Sequence, residues 1–194
     1  MDRILYFDCF SGISGDMALG ALIDLGLDPE DVRAALSALD FGGFRLEGTK
    51  TVCQGIAGTG INVVIDDAYA HGEPAHERNF DAIRRIIEKS ALSSRVKEMA
   101  VGIFRIIAEA EAGVHGKELE DVHFHEVGAV DSIVDIVGVA VCLDLLSVDR
   151  IVCSPVREGR GFVTCRHGLL PVPVPAVARM LEGTDFELSI GDIN

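Results

Sequence analysis

Apolar positions recur along this chain in distinct rhythms, and each rhythm predicts an element. Residues 3–8, RILYFD, form a short, nearly unbroken apolar run, which predicts a strand buried in a sheet interior. MALGALIDLG (17–26) keeps helical spacing and stops at Gly26, a residue suited to the position after a helix. Asp28-Pro29 opens a second helix, with Asp28 as N-cap, Pro29 in the first helical position and acids in the first turn. FRLEGTKTV and GINVVID read as strands divided by a Gly-rich turn, CQGIAGTG. NFDAIRRIIEKS and SSRVKEMAVGIFRIIAEAEAGVHG are amphipathic, and the short link between them predicts an antiparallel helix pair. VDSIVDIVGVAVCLDLL (130–146) is apolar nearly all round and reads as a buried helix. RIVCSPV and GRGFVTC read as strands, and PVPVPAVARMLEG as an extended Pro segment feeding a last helix. The most loop-like stretch is AYAHGEPAHERN (68–79). Together these predict an α/β (or α+β) fold: a mixed sheet with helices packed on it, in a single compact domain over residues 1–194.

Charge narrows the function classes. The chain carries 31 acidic against 17 basic residues, a formal net charge of −14, which repels phosphate backbones and anionic membranes and suits cations. No nucleic-acid or membrane partner is expected, and no stretch matches the ~20 apolar residues of a membrane span. The five cysteines, Cys9, Cys53, Cys142, Cys153 and Cys165, are odd in number and scattered, with no C-x-x-C pair. They read as reduced thiols of a soluble cytoplasmic protein rather than a disulfide framework or a structural zinc site.

Three stretches carry chemistry. Strand-like RILYFD runs through Asp8 into Ser11-Gly12-Ile13-Ser14-Gly15-Asp16 and then a helix. Glycines and unpaired N–H groups at a helix N-terminus make an anion pocket, to which Ser11 and Ser14 add hydroxyls. A plain strand-to-helix turn capped by Asp16 explains the same residues equally well. There is no G-K-[ST] and no G-x-G-x-x-G spacing. In His123-Phe124-His125-Glu126, residues two apart on an extended segment face one way, so both imidazoles can meet one ion and Glu126 can add an oxygen. Imidazole with carboxylate suits nickel, zinc or iron; the alternative is a pair of helix-start histidines bonded to backbone. Asp131 and Asp135 share one face of an otherwise apolar helix, with Asp144 further along. Asp131 also suits the first-turn helix dipole, whereas a buried Asp135 needs a partner or a polar cavity. His71, His76 and His167 are lesser candidates, and His71 and His76 are read first as solvated side chains.

FDCFSGISGDM, the AEAEAGVHG and VHFHEVGAVDSIVDIVG block, and RHGLLPVPVPA together resemble the nickel-insertion protein family called LarC, from residue 7 to about residue 176. The resemblance implies insertion of nickel into pyridinium-3,5-bisthiocarboxylic acid mononucleotide, forming one carbon–metal and two sulfur–metal bonds in the nickel-pincer cofactor of lactate racemase. It implies CTP and manganese or magnesium as well. On this reading Ser11, Gly12, Ser14 and Gly15 hold a phosphate, and Asp8 and Asp16 stand near a cation or a proton transfer. His123, His125, Glu126 and Asp131 are the expected nickel ligands. Family chains run to about twice this length, so CTP use is expected to need the C-terminal half as partner, and a homo-oligomer is compatible. The alternatives are a nickel metallochaperone module without chemistry of its own, and an unrelated phosphate-binding domain with structural acids.

Overall fold

The computed structural model describes residues 2–40, 43–53, 55–66, 78–124 and 127–191. Its contacts fall into two units. The first comprises Met1–Ile13, Ile106–Val122 and Ser147–Asn194; the second comprises Ser14–Arg105 and His123–Leu146. The mixed α/β class expected from the sequence holds, with parallel and antiparallel pairing both present. Among the described residues the strands form four two-stranded ladders.

The second unit contains the larger core. Helix α1 (Gly15–Asp24) ends as the sequence predicts: the Leu25 N–H donates to the Ala21 carbonyl, and Gly26 follows at φ +110°. Helix α2 (Pro29–Leu36) starts on Asp28, whose carboxylate accepts from the Glu30 N–H at 2.9 Å. Strands β2 (Phe44–Cys53) and β3 (Ile56–Ile65) pair antiparallel through ten positions. The expected Gly-rich turn is therefore much shorter than CQGIAGTG, because Ile56 to Gly60 belong to β3. The physical reason lies in α1: a side chain at Gly20 would collide with the Thr59 carbonyl, so helix and strand backbones touch here.

Helix α3 (Phe80–Lys89), capped by the Asn79 side chain on the Ala82 N–H at 2.9 Å, leads into the long helix α4 (Ser94–His115). Helix α5 (Val130–Leu145) is the buried helix predicted; Ile133, Val134, Val137 and Ala140 are wholly inaccessible. Gly138 lets it approach α1, since a Cβ there would lie 3.1 Å from Leu19 Cδ1. At the other end of α5, Asp144 accepts from the Ser93 hydroxyl at 2.8 Å and lies near Arg95, a structural role for this acid.

The first unit is built from short pieces. Strand β1 (Ile4–Phe7) pairs in parallel with β4 (Arg150–Cys153), and β5 (Val156–Glu158) in parallel with β8 (Leu188–Ile190), a strand absent from the pattern reading. Strands β6 (Gly161–Cys165) and β7 (Gly168–Val172) form a tight hairpin ahead of helix α6 (Pro175–Leu181). Strand β1 departs from expectation: Ile4 is 59% and Tyr6 58% exposed, so it is not a sheet-interior strand. An apolar run specifies a strand, but the number of neighbours that cover it is decided elsewhere. The loop at 68–79 lies mostly outside the described residues, including His71 and His76.

Leu19→Ala should lower stability by about 2–5 kcal/mol in urea unfolding, because it opens a cavity between α1 and α5. Tyr6→Ala in the same chain should cost less than about 1 kcal/mol, since it loses little buried area.

Candidate functional site

The Ser/Gly loop divides between the two units, Ser11 and Gly12 in the first and Ser14, Gly15 and Asp16 in the second. In the first unit the chain leaves β1 at Asp8, which is exposed, and folds back at once. The Cys9 carbonyl accepts from both the Gly12 N–H and the Arg157 N–H at 3.1 Å, and the Cys9 N–H donates to the Ser154 hydroxyl at 2.8 Å. Gly12 sits at φ +84° with the Arg157 carbonyl where a Cβ would project, so the turn itself requires glycine. Burial first, then Cys153 and Asp8, push the Cys9 thiol above its ordinary range; it is a packed thiol rather than a nucleophile.

In the second unit Ser14 precedes α1 in an extended conformation, and its hydroxyl donates to Asp16 Oδ1 instead of capping the helix. The N–H groups of Gly15, Asp16 and Met17 have no acceptor among the described residues. Gly15 takes no unusual backbone angle. It is required because Asp135 fills its side-chain space: an added Cβ would lie 2.7 Å from Asp135 Cβ and Oδ2. The start of α1 is thus pressed onto the carboxylate that the sequence left without an obvious partner.

Among the described carboxylates of this unit, Asp135 is the one pushed upward. Its Oδ1 is buried with no hydrogen-bond partner among the described residues. Desolvation, reinforced by Asp16 and then Asp131, pushes its pKa up to about 6. Asp131 is exposed in the first turn of α5 and accepts from the Ser132 N–H at 2.7 Å. Asp16 and Asp131 thus both act on Asp135, near the N-termini of α1 and α5. That field favours a divalent cation, and the open N–H groups of α1 favour an anionic group next to it.

His123 stands in an isolated antiparallel bridge with Asn79, exposed, while Val122 and Phe124 on either side are each 2% exposed. The Phe124 N–H donates to the Arg78 carbonyl at 3.0 Å, and its ring packs on Phe104 with centroids 6.1 Å apart. His123 itself is therefore held in extended backbone. His125 and Glu126 lie outside the described residues. Among the described residues no three His, Cys, Asp or Glu side chains converge on one ion position. A cleft of about 550 Å³ between α1, α2 and the β2–β3 ladder is lined by Lys50 and Arg33. The Lys50 ammonium there is bonded to Asp24 and Thr59, and Arg33 to Glu30.

The family model described as nickel insertion protein matches residues 5–193. The chain belongs to that family. It is 52% identical, over 99% of its own length, to the pyridinium-3,5-bisthiocarboxylic acid mononucleotide nickel insertion protein of Acetivibrio thermocellus, covering 48% of that relative. Proteins of the same name from Clostridium kluyveri and Akkermansia muciniphila are 47% and 51% identical over 97% and 95% of the chain, which covers 49% and 48% of them. The chain thus spans about half the length of the curated relatives it matches. No solved structure matches it. In this nickel-insertion family member, Asp135 is the residue whose importance the sequence only suggested; its packing against Gly15 has no linear signal.

Because the folded-state pKa of Asp135 is raised, its contribution to stability is fully present below the unfolded carboxylate value and is lost as pH rises through about 6. Asp135→Asn should therefore stabilise the chain at pH 7 by roughly 1–2 kcal/mol, allowing for the half of the group that water reaches, and should do nothing below pH ~4. Urea midpoints across that range check it. Gly15→Ala should destabilise by about 1–3 kcal/mol by displacing Asp135, and much less in the Asp135→Ala background.

Proposed function

We propose that the chain supplies the metal- and substrate-binding half of an enzyme that inserts nickel into pyridinium-3,5-bisthiocarboxylic acid mononucleotide. The observation that carries this reading is Asp135, whose buried oxygen has no partner among the described residues and which packs against Gly15 where open N–H groups begin α1. The relatives' names supply the substrate, a pyridinium mononucleotide with two thiocarboxylates, and the family resemblance implies metal bonds to both sulfurs and a ring carbon. A phosphate needs N–H donors, nickel needs anionic and imidazole ligands, and a carbon–nickel bond needs a base for the displaced proton.

Within this reading Ser14 and Gly15 hold the phosphate side. His123, His125, Glu126 and Asp131 receive nickel, the cargo of the reaction. Asp16, oriented by the Ser14 hydroxyl, is assigned the proton transfer. CTP with manganese or magnesium acts through a partner half equivalent to the part of the relatives that this chain does not cover, giving the nickel-pincer cofactor of lactate racemase in the cytoplasm. The exposed apolar side chains Ile4, Tyr6, Ile151, Phe162 and Leu169 of the first unit are the surface assigned to that half. A two-stranded parallel ladder ordinarily has both faces covered.

Reconstitution tests the proposal. The chain, the second half of a relative, nickel, CTP and the mononucleotide should together yield the metallated nucleotide by mass spectrometry, and the chain alone should not. Asp16→Asn should lower the yield roughly a hundredfold or more with the fold intact. Nickel bound tightly but never transferred by the assembled halves would favour a metallochaperone instead.

A further inference from the structure

The first unit holds a histidine pair that the site above does not use. His115 closes α4, and His167 sits at the tip of the two-residue turn between β6 and β7. They are 52 positions apart in sequence, yet their rings lie 4.9 Å apart between centroids at an interplanar angle of 35°. Glu111, one helical turn before His115 and on the same face, places Oε2 at 3.3 Å from His115 Nε2. Gly113 lies on the other side of the helix, where Arg179 fills its side-chain space, so that guanidinium is not on the histidine face.

The spacing is informative. An imidazole nitrogen bound to a transition metal at about 2.1 Å places its ring centre about 3.2 Å from the ion, so two rings in neighbouring coordination positions have centres roughly 4.5–5.2 Å apart. The observed 4.9 Å falls inside that range. A carboxylate beside the other nitrogen is the usual partner that orients a ligating histidine. His167 is an exposed residue and the His115 side chain keeps 27% of its surface accessible, so an ion can reach the pair.

We propose that His115 and His167, with Glu111 orienting the first, form a surface capture site for a borderline divalent transition metal. Two imidazoles select nickel, cobalt, copper or zinc over magnesium and calcium. Naming nickel among these rests on the function proposed above. With only two protein ligands, water completes the coordination shell, and the ion stays exchangeable. That suits a cargo ion in transit better than a resident cofactor.

Paramagnetic nickel(II), added alone to the 194-residue chain below one equivalent, gives the test by NMR. The imidazole signals of His115 and His167 should broaden together, and should still do so in His123→Ala. His167→Ala should abolish the broadening at His115 and weaken nickel binding there at least about tenfold. Glu111→Gln should weaken it by about tenfold, as loss of an orienting partner does. If His167→Ala perturbs the fold, His167→Gln serves the same purpose. Sharp His115 and His167 signals while nickel saturates the chain would overturn the proposal, as would His115 broadening unchanged without His167. Nickel held by this pair in a chain whose reconstituted assembly makes no metallated nucleotide would support the capture site and fault the functional reading alone.

Discussion

Helix α5 lies in the core of the second unit, with Ile133, Val134 and Val137 sealed from water and Leu19 of α1 pressed against Gly138. That burial gives each large side chain about 1.5–3 kcal/mol of hydrophobic stabilisation, and it fixes the helix in position and rotation. Asp135 is carried inward with it. One turn-and-a-half of apolar packing thus decides where a carboxylate goes that would otherwise stay in water. Gly15 is the complementary adaptation, because no other residue lets α1 start against that side chain.

The arrangement works against stability at neutral pH. A half-buried acid with an unpaired oxygen, next to two further carboxylates, is favoured by a proton or by a cation and by little else. Stabilising such a cluster by binding is the ordinary thermodynamic behaviour of a ligand site. It also distinguishes the cluster from Asp144 and Asp24, whose partners Ser93 and Lys50 are already in place.

The first unit presents the reverse situation. Its thiol and turn positions are well satisfied, with Cys9 fastened through Ser154 and Arg157, but its apolar strands are open to solvent. The His115–His167 pair belongs to this unit and depends on a hairpin tip meeting a helix end, a contact with no local cause.

Much of the secondary structure was determined locally. Asp28 and Asn79 cap their helices through their own side chains, Gly26 ends α1, and the apolar circumference of residues 130–146 announces a buried helix. Local steric and hydrogen-bonding preferences suffice for such features, so periodicity and capping chemistry reveal them. The chemistry of the opening loop was legible only in kind: serines, glycines and acids are in place, but the same letters describe a tight turn. Tertiary structure alone decided that Gly12 is a turn glycine while Gly15 is a packing glycine, that Thr59 lies in a strand rather than a turn, and that Tyr6 stays exposed. It also decided that Asp135 loses its water and that His115 meets His167. Each of these depends on what a distant segment places alongside, and neither spacing nor composition encodes the neighbour across a fold.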